Sequence, residues 1–328
     1  MTPDAQILRA LRTAKTGAVS GTDLSQRLGI SRAAIWARIE ELRSIGYDIQ
    51  AGPHLGYRLI SSPDRLHADD LLSRLDPPQI IGRDIRVFQE TSSTNDVVEK
   101  FGRDGVKEGV VVLAESQTKG RGRLGRKWVS QTGKGLWFSV LLRPDLRPSA
   151  ATQLTAATAV ALTEAIRQAT SLQPDIKWPN DLLIGGRKIA GILTELSAEL
   201  DHIKHLILGI GLNVNQDSGD FPPEIRRTAT SLRLASGTMW DRADIAVAIL
   251  VQLDRIYHRI KKQQFGAIAE EYERQCLTLG HRVMIQTGSR TIQGRAESLD
   301  ADGALLVRTQ HGRLERILGG DVTLEKSS

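Results

Sequence analysis

Apolar residues recur at helical spacing near the start of the chain. Ile7, Leu8 and Leu11 follow Thr2 and Asp4, two residues suited to capping, and predict a first helix over Ile7 to Thr13. Gly21 to Leu28 reads as a second helix, and the turn Gly29-Ile30-Ser31 places Ser31 as the N-cap of a third that runs to about Ile45. Within it Ile35, Ile39 and Leu42 recur at i, i+4 and i+7 and form the buried stripe, which turns Arg32, Trp36 and Arg43 away from the core. Tyr47 to Ile60 then alternates around a Gly-Pro turn, as a two-stranded ribbon does. Three helices followed by a ribbon is the order of a winged helix-turn-helix.

Ser61-Ser62-Pro63-Asp64 has the composition of a linker. Beyond it, strand-like segments are predicted over Ile85 to Gln89, Val110 to Glu115, Leu136 to Leu142, Ile176 to Trp178, Lys188 to Leu196 and His205 to Val214. Helices are predicted over Asn95 to Phe101, Ser149 to Thr170 and Asp241 to Lys262. The last two strands are separated by a polar turn too short for a crossover helix, so they pair antiparallel. The fold class is therefore α+β, with a mixed or antiparallel central sheet backed by helices rather than a doubly wound parallel one. After Cys276 come five short β-like runs, at His281 to Gln286, Thr291 to Leu299, Ala304 to Arg308, Leu314 to Leu318 and Val322 to Glu325, which suggest a small SH3-like barrel. Three domains are expected, at 1–62, 65–276 and 277–328.

Composition narrows the function. The 328 residues are 40% hydrophobic and 25% charged, as in an ordinary globular protein, and no apolar run approaches the ~18 residues that span a bilayer. No export signal is visible at the start, and the single cysteine, Cys276, excludes an internal disulfide and a cysteine-rich zinc site, so a cytoplasmic location is expected. Lys and Arg total 44 against 38 Asp and Glu, a net charge of +6, and an isoelectric point near 9.5 favours anionic partners. In residues 1–62, eight basic and five acidic side chains leave +3, which is modest for a DNA-binding segment.

Three clusters carry candidate chemistry. Gln117 to Trp128, QTKGRGRLGRKW, contains Gly120-x-Gly122-x-x-Gly125 after a predicted strand. No helix opens at the third glycine and no acidic residue ends a second strand, so the dinucleotide fingerprint fails, and no P-loop occurs. What remains is a glycine-rich loop that holds Arg121, Arg123, Arg126 and Lys127. Glycines let backbone approach a ligand, and guanidinium groups grip phosphate or carboxylate oxygens. A solvated basic loop, or one that touches DNA, is the plainer reading of the same residues. The second cluster is Lys177-Trp178-Pro179-Asn180-Asp181, followed by Gly185 to Gly191. Pro-Asn-Asp suits a hairpin turn, where Asp181 either caps the turn or holds Mg²⁺ or a ligand amine, and Lys188 opens the next strand. The third, Gly209-Ile210-Gly211-Leu212-Asn213-Val214-Asn215, alternates glycine with apolar residues, a pattern that marks close approach of a ligand or of other chain. Trp128 and Trp178 suit packing anchors as well as stacking partners. His202 and His205 fall in a polar hairpin turn and read as solvated, and Cys276, at a helix end, as a small buried hydrophobe.

TSSTN (Thr91 to Asn95), GRGRxGRxW (Gly120 to Trp128), KWPND (Lys177 to Asp181), RKIAG (Arg187 to Gly191) and GIGLNVN (Gly209 to Asn215) follow one another in the order seen in biotin-protein ligases. Over all three segments the chain resembles the bifunctional bacterial form of that family, a biotin ligase joined to a biotin operon repressor. The resemblance implies a central domain shared with lipoate ligases and class II aminoacyl-tRNA synthetases. It implies that biotin and Mg-ATP give biotinyl-5′-AMP and pyrophosphate, and that biotin then passes to a lysine of the biotin carboxyl carrier protein of acetyl-CoA carboxylase. Neither step needs an enzyme nucleophile, in keeping with the lack of a convincing Ser/His/Asp or Cys/His set.

By position in the motifs, Lys188 bridges the biotin carboxylate and the α-phosphate and is the first catalytic candidate, with Arg123 beside it. The resemblance implies Ser93, Thr94, Gln117, Gly120, Arg121, Arg123, Lys188 and Gly191 for biotin, and Arg121, Arg123, Arg126, Asn213 and Asp181 for ATP and the adenylate. Asp181 is also the candidate for Mg²⁺, and no tightly bound organic cofactor is implied. In the first segment, Ser31, Arg32, Ala33 and Trp36 at the start of the third helix are candidates for the major groove of operator DNA, and His54 at the wing tip for the phosphate backbone or the minor groove. The resemblance makes the adenylate a corepressor that favours a homodimer. Two other readings stand beside this one: a lipoate-type acyl ligase, and a ligand-sensing transcription factor without ligase activity, which would be expected to have lost Lys188 or the arginine loop.

Overall fold

A computed structural model describes residues 1–14, 17–52, 56–76 and 79–324. The chain packs as two units, residues 1–78 with 241–243, and residues 79–240 with 244–328.

In the first unit α1 (Pro3–Thr13), α2 (Gly21–Leu28) and α3 (Arg32–Ser44) precede an antiparallel ribbon of β1 (Asp48–Gly52) and β2 (Gly56–Ser61), followed by α4 (Ala68–Arg74). Side-chain caps fix the helix starts: the Thr2 oxygen accepts from the Ala5 N–H, Ser20 from Thr22 and Asp23, and Ser31 from Ala34. Gly29 ends α2 in the left-handed region, φ 68°, so the chain can turn into α3. Ile35, Ile39 and Leu42 face a core shared with Ile7, Leu8, Leu24 and Ile49, as their spacing predicts. Trp36 stands clear of it, 57% exposed. Arg43 does not project: its Nε donates to the Ile49 carbonyl at 2.8 Å and its Nη1 to Glu40 at 2.6 Å. The sequence does not predict α4, whose seven residues are too few to show a period. It is held by Asp70, buried and paired with both Arg12 and Arg74. His54 lies outside the described residues.

The second unit is built on a seven-stranded sheet: β3 (Asp84–Thr91), β4 (Val110–Gln117), β5 (Gly135–Leu142), β6 (Asp175–Lys177), β7 (Asp181–Ile184), β8 (Arg187–Ala198) and β9 (Ile203–Asn213), in the order β3-β4-β5-β9-β8-β7-β6. β3 and β4 are parallel, joined through α5 (Thr94–Arg103), and the other neighbours are antiparallel, so the sheet is mixed. β5 is buried at all eight positions, as a mid-sheet strand covered on both faces must be. α5 puts Val98 against Val110, Val112, Leu141 and Ile207. α6 (Ala151–Thr170) lies against β6, β7 and β8, and α9 (Phe265–Glu273) packs on α6. Between them in sequence come α7 (Leu232–Ser236) and α8 (Arg242–Lys261). The last strands, β10 (Arg282–Thr287), β11 (Arg290–Leu299), β12 (Leu305–Thr309), β13 (Leu314–Ile317) and β14 (Asp321–Leu324), form an antiparallel sheet in the order β13-β12-β11-β10-β14.

Two further local expectations, both in the second unit, are corrected. Pro179-Asn180 does turn the chain, but into the unpredicted β7. The turn into β8 falls at Gly185 and Gly186, with φ 55° and 73°, a conformation that favours glycine. His205 is not solvated: it is buried on β9 against Gly102 of α5, where a Cβ would lie 2.5 Å from the ring, and its Nε2 sits 2.9 Å from the Glu99 carboxylate.

Candidate active site

One cavity, of about 220 Å³, collects most of the side chains that the motifs single out. Its wall takes Ser93 and Thr94 from the start of α5, Gln117 from the end of β4, and Arg121, Arg123, Arg126 and Trp128 from the loop between β4 and β5. Lys177 and Asp181 come from β6 and β7, Lys188 and Gly191 from β8, and Gly209 and Gly211 from β9.

One part of this wall is backed by a hydrogen-bonding network of hydroxyls and amides that ends on a carboxylate. The Gln117 amide oxygen accepts from the Thr94 N–H at 2.8 Å and from the Thr94 hydroxyl at 3.1 Å, while its NH₂ donates to Ser130 Oγ at 2.9 Å. Thr94 Oγ1 lies 2.7 Å from the Ser139 hydroxyl, which donates to Asn95 Oδ1 at 2.5 Å, and Asn95 Nδ2 donates to Glu195 at 2.6 Å. Burial makes such a network stiff, because each polar group that loses a partner pays a desolvation penalty. The alternating glycines of β9 make room for it. A Cβ at Gly209 would lie 2.3 Å from Asn95 Oδ1, and one at Gly211 would lie 2.4 Å from the indole of Trp128. The close approach that the GIG pattern foretells is therefore by side chains of this chain.

The rest of the wall is cationic. Lys188 Nζ lies 2.6 Å from Asp181 Oδ1 on the neighbouring strand and 5.3 Å from the ring centre of Trp128. Its backbone is pinned on the side away from β7 as well: the N–H donates to the Thr228 carbonyl and the carbonyl accepts from the Thr230 N–H, each at 2.8 Å. Arg123 Nη1 donates to Asn180 Oδ1 at 3.0 Å and reaches the Gly320 carbonyl at 3.5 Å. Among the described residues Arg123 has no carboxylate partner within ion-pair distance, and burial holds its pKa below the ordinary arginine value. Arg126 pairs with Asp321, at the head of β14, so the C-terminal sheet supplies part of the wall.

The loop itself is folded back as a tight hairpin, with Gly122 N–H donating to the Arg126 carbonyl at 2.7 Å and Trp128 N–H to the Gly120 carbonyl at 2.9 Å. Gly120 is required by this closure: a Cβ there would lie 2.5 Å from the Trp128 carbonyl oxygen. Arg121, also in the wall, is ion-paired with residues of other elements: Asp96 lies 2.7 Å and Glu195 3.6 Å from its guanidinium. Lys127 is exposed and stands outside the wall. Asn213 also stands outside it. Its Nδ2 donates to the Thr230 carbonyl at 2.9 Å and its Oδ1 accepts from Gln216 at 3.2 Å, so its polar ends are spent on the chain.

Sequence reasoning misses Asn95, Ser139, Glu195, Asp321 and the wall position of Lys177. The TSSTN and KWPND motifs contain Asn95 and Lys177, and that signal could have nominated them. Ser139, Glu195 and Asp321 carry no local signal.

A cavity that sets hydrogen-bonding groups beside cations is suited to holding the polar head of an acid with its carboxylate next to a phosphate, and here it is carried on the same chain as a helix-turn-helix. These features define a carboxylate-activating ligase with an appended DNA-binding fold. The model of the biotin/lipoate A/B protein ligase family matches residues 87–213, an HTH domain model residues 4–58, and the biotin protein ligase C terminal domain model residues 278–324. The bifunctional ligase/repressor BirA of Bacillus subtilis is 40% identical over 306 residues, which cover 93% of this chain and 94% of that protein. The Escherichia coli protein of the same name is 30% identical over 309 residues, 94% of this chain and 93% of its own. Among solved structures, a biotin protein ligase from Aquifex aeolicus in complex with biotin and ATP superposes with a TM-score of 0.64 at 34% identity, covering 75% of this chain and all of that one. The chain belongs to the family of bifunctional biotin-protein ligases and repressors.

Proposed function

We propose that the cavity joins biotin to AMP and hands it to a lysine of the biotin carboxyl carrier protein of acetyl-CoA carboxylase. In the first step a carboxylate oxygen of biotin attacks the α-phosphorus of ATP, the bond to the β-phosphate breaks, and pyrophosphate leaves. In the second the lysine amine attacks the acyl carbon of the mixed anhydride, AMP leaves, and the amine proton passes to solvent. The barrier to the first step is the mutual repulsion of two anions, so the chain must supply positive charge between them. The observation that carries this reading is Arg123: a half-buried guanidinium in the cavity wall with no carboxylate partner among the described residues, which gains most from an anionic ligand.

Lys188 would bridge the carboxylate and the α-phosphate, releasing Asp181 as it does so. Ser93, Thr94 and Gln117 are suited to the ureido ring, Gly120 and Gly191 to close backbone contact, and Arg126 to the outer phosphates. A mixed anhydride hydrolyses in water, and the hairpin loop over the cavity would keep water from it. No three metal-ligating side chains converge among the described residues. Mg²⁺ bound chiefly through phosphate oxygens and water needs only one or two carboxylates, and Asp181 in the wall meets that need. When bound, Mg²⁺ neutralises phosphate charge.

In the first unit Ser31, Arg32, Ala33 and Trp36 form an exposed run at the start of α3, the surface for an operator's major groove. Binding of the adenylate favours a homodimer that reads two half-sites, in the cytoplasm, where the carrier protein is made. No helix of the described residues is long and apolar enough to cross a membrane.

Biotin-dependent exchange of pyrophosphate into ATP tests the ligase reading, with lipoate as the competing acid. Lys188→Ala should abolish exchange while the thermal melt stays that of the parent, and normal exchange in that variant would overturn the assignment. Gel shifts on biotin-gene promoters should tighten on adding biotinyl-5′-AMP, and an unchanged shift would overturn the corepressor step.

A further inference from the structure

The hydrogen-bonding network behind the cavity has a direction. A hydroxyl carries one proton and an amide has a donor end and an acceptor end, so a chain of such groups can run either way unless its ends are groups with a single role. Here both ends are fixed. At one of them Glu195 presents a carboxylate, which when ionised only accepts, and Asn95 Nδ2 donates to it at 2.6 Å. The opposite orientation of Asn95 would set its carbonyl oxygen against that carboxylate. Asn95 Oδ1 is therefore turned to Ser139, whose hydroxyl donates to it at 2.5 Å and has no second proton for Thr94 Oγ1, 2.7 Å away. At the other end the Thr94 backbone N–H, which only donates, fixes the Gln117 amide with its oxygen towards Thr94, at 2.8 Å. Ser139 and Gln117 thus both present acceptors to Thr94 Oγ1. The Thr94 proton is taken up inside the network and neither of these partners donates in return, which leaves acceptor capacity on a residue of the cavity wall. Thr94, Asn95 and Ser139 are all buried, where a misdirected proton is costly and the order is kept.

We propose that Glu195 is a positioning residue for the choice of acid: through Asn95 and Ser139 it orients the Thr94 hydroxyl so that the cavity offers an acceptor there, and the head of the bound acid must bring an N–H donor to it. A ureido ring carries two N–H groups, and the dithiolane ring of lipoate carries none. This selection rests on the reading of the cavity as a ligase site.

Biotin-dependent exchange of pyrophosphate into ATP reads it. Glu195→Leu removes the acceptor of Asn95 from a position outside the cavity wall. KM for biotin should rise about two- to twelvefold, the net worth of one hydrogen bond, with kcat unchanged. Glu195→Gln keeps an acceptor for Asn95 and should recover part of that loss. Glu195 also stands 3.6 Å from Arg121, so the change is repeated in a Ser139→Ala background, where the path to Thr94 is cut and Glu195→Leu should add nothing. Of the two cyclic carbamates in which a ring oxygen replaces one ureido N–H of biotin, at least one should serve the parent less well than biotin, and Glu195→Leu should narrow that preference by the same factor. A parental KM in Glu195→Leu, an unchanged preference, a Gln variant no better than the Leu variant, or the same rise in the Ser139→Ala background overturns the relay while the ligase reading stands. A parent that shows no exchange with biotin overturns the ligase reading and the selection with it.

Discussion

Gly211→Ala measures how tightly the cavity wall is set by a single missing methyl group. A Cβ at this position would lie 2.4 Å from Cε2, 2.6 Å from Nε1 and 2.7 Å from Cζ2 of Trp128. Carbon atoms settle at about 3.5–4.0 Å, so the indole must retreat by about 1 Å. It cannot retreat freely, because it stands edge-on to Trp137, ring centres 6.2 Å apart, and Trp137 is fully buried. The open direction is into the cavity and towards Lys188. Overpacking of this kind costs about 1–3 kcal/mol, which in a binding constant is about a 5-fold to 150-fold loss. Pyrophosphate exchange at varied biotin should show KM raised within that range, and the melting temperature shows how much of the strain the free protein absorbs. Gly219→Ala is the control, since nothing lies within 4 Å of its Cβ position. A Gly211→Ala protein with parental KM and parental melting temperature would refute the placement of Trp128 against β9.

Three further outcomes are expected. Burial alone would raise the pKa of Glu108, but hydrogen bonds from Lys261 at 2.6 Å, Tyr257 at 2.5 Å and the Arg143 N–H at 3.1 Å hold it below the ordinary 4.5. A folded pKa below the unfolded one gives stability that is present above pH 4.5 and lost as the pH falls through the folded value. Urea unfolding of Glu108→Gln should therefore lie below the parent at pH 7 and converge on it in acid; a constant gap would count against the linkage. Trp36→Ala should leave the melt unchanged and weaken the gel shift, since the ring is exposed on α3 and touches no core, and a large drop in melting temperature would contradict that exposure. Cys276 is free and buried, and burial pushes its thiol above the usual 9.0, so Ellman's reagent at pH 8 should react quickly only after denaturant is added.

How far the sequence carries depends on how local each signal is. The caps Thr2 and Ser31, the stripe Ile35, Ile39 and Leu42, and the short β8 to β9 hairpin are all written within a few residues, and each is found in place. β7 escapes because Pro179 and Asn180 look like the centre of one turn, while four residues of strand follow before the glycines. The burial of His205 depends on Glu99, 106 positions away, and on the missing side chain of Gly102, neither of which a hairpin pattern contains. The same distance hides Glu195, which meets Arg121 and Asn95 only when β8 and α5 come together. Charge count nominates Arg121 as readily as Arg123, and only their surroundings separate a guanidinium paired with two carboxylates from one that has none within ion-pair distance among the described residues.

The pairing of Arg126 with Asp321 also has a bearing on timing. The two residues are 195 positions apart, and at ~5–20 residues per second of synthesis the loop leaves the ribosome some ten to forty seconds before its partner. During that interval β3 to β9 can already be assembled, yet the cavity has one side missing. A nascent chain that has made its sheet but not its last strand is folded in its middle and still lacks the partner of Arg126, so the cavity wall is completed only as a late step of the molecule's own manufacture.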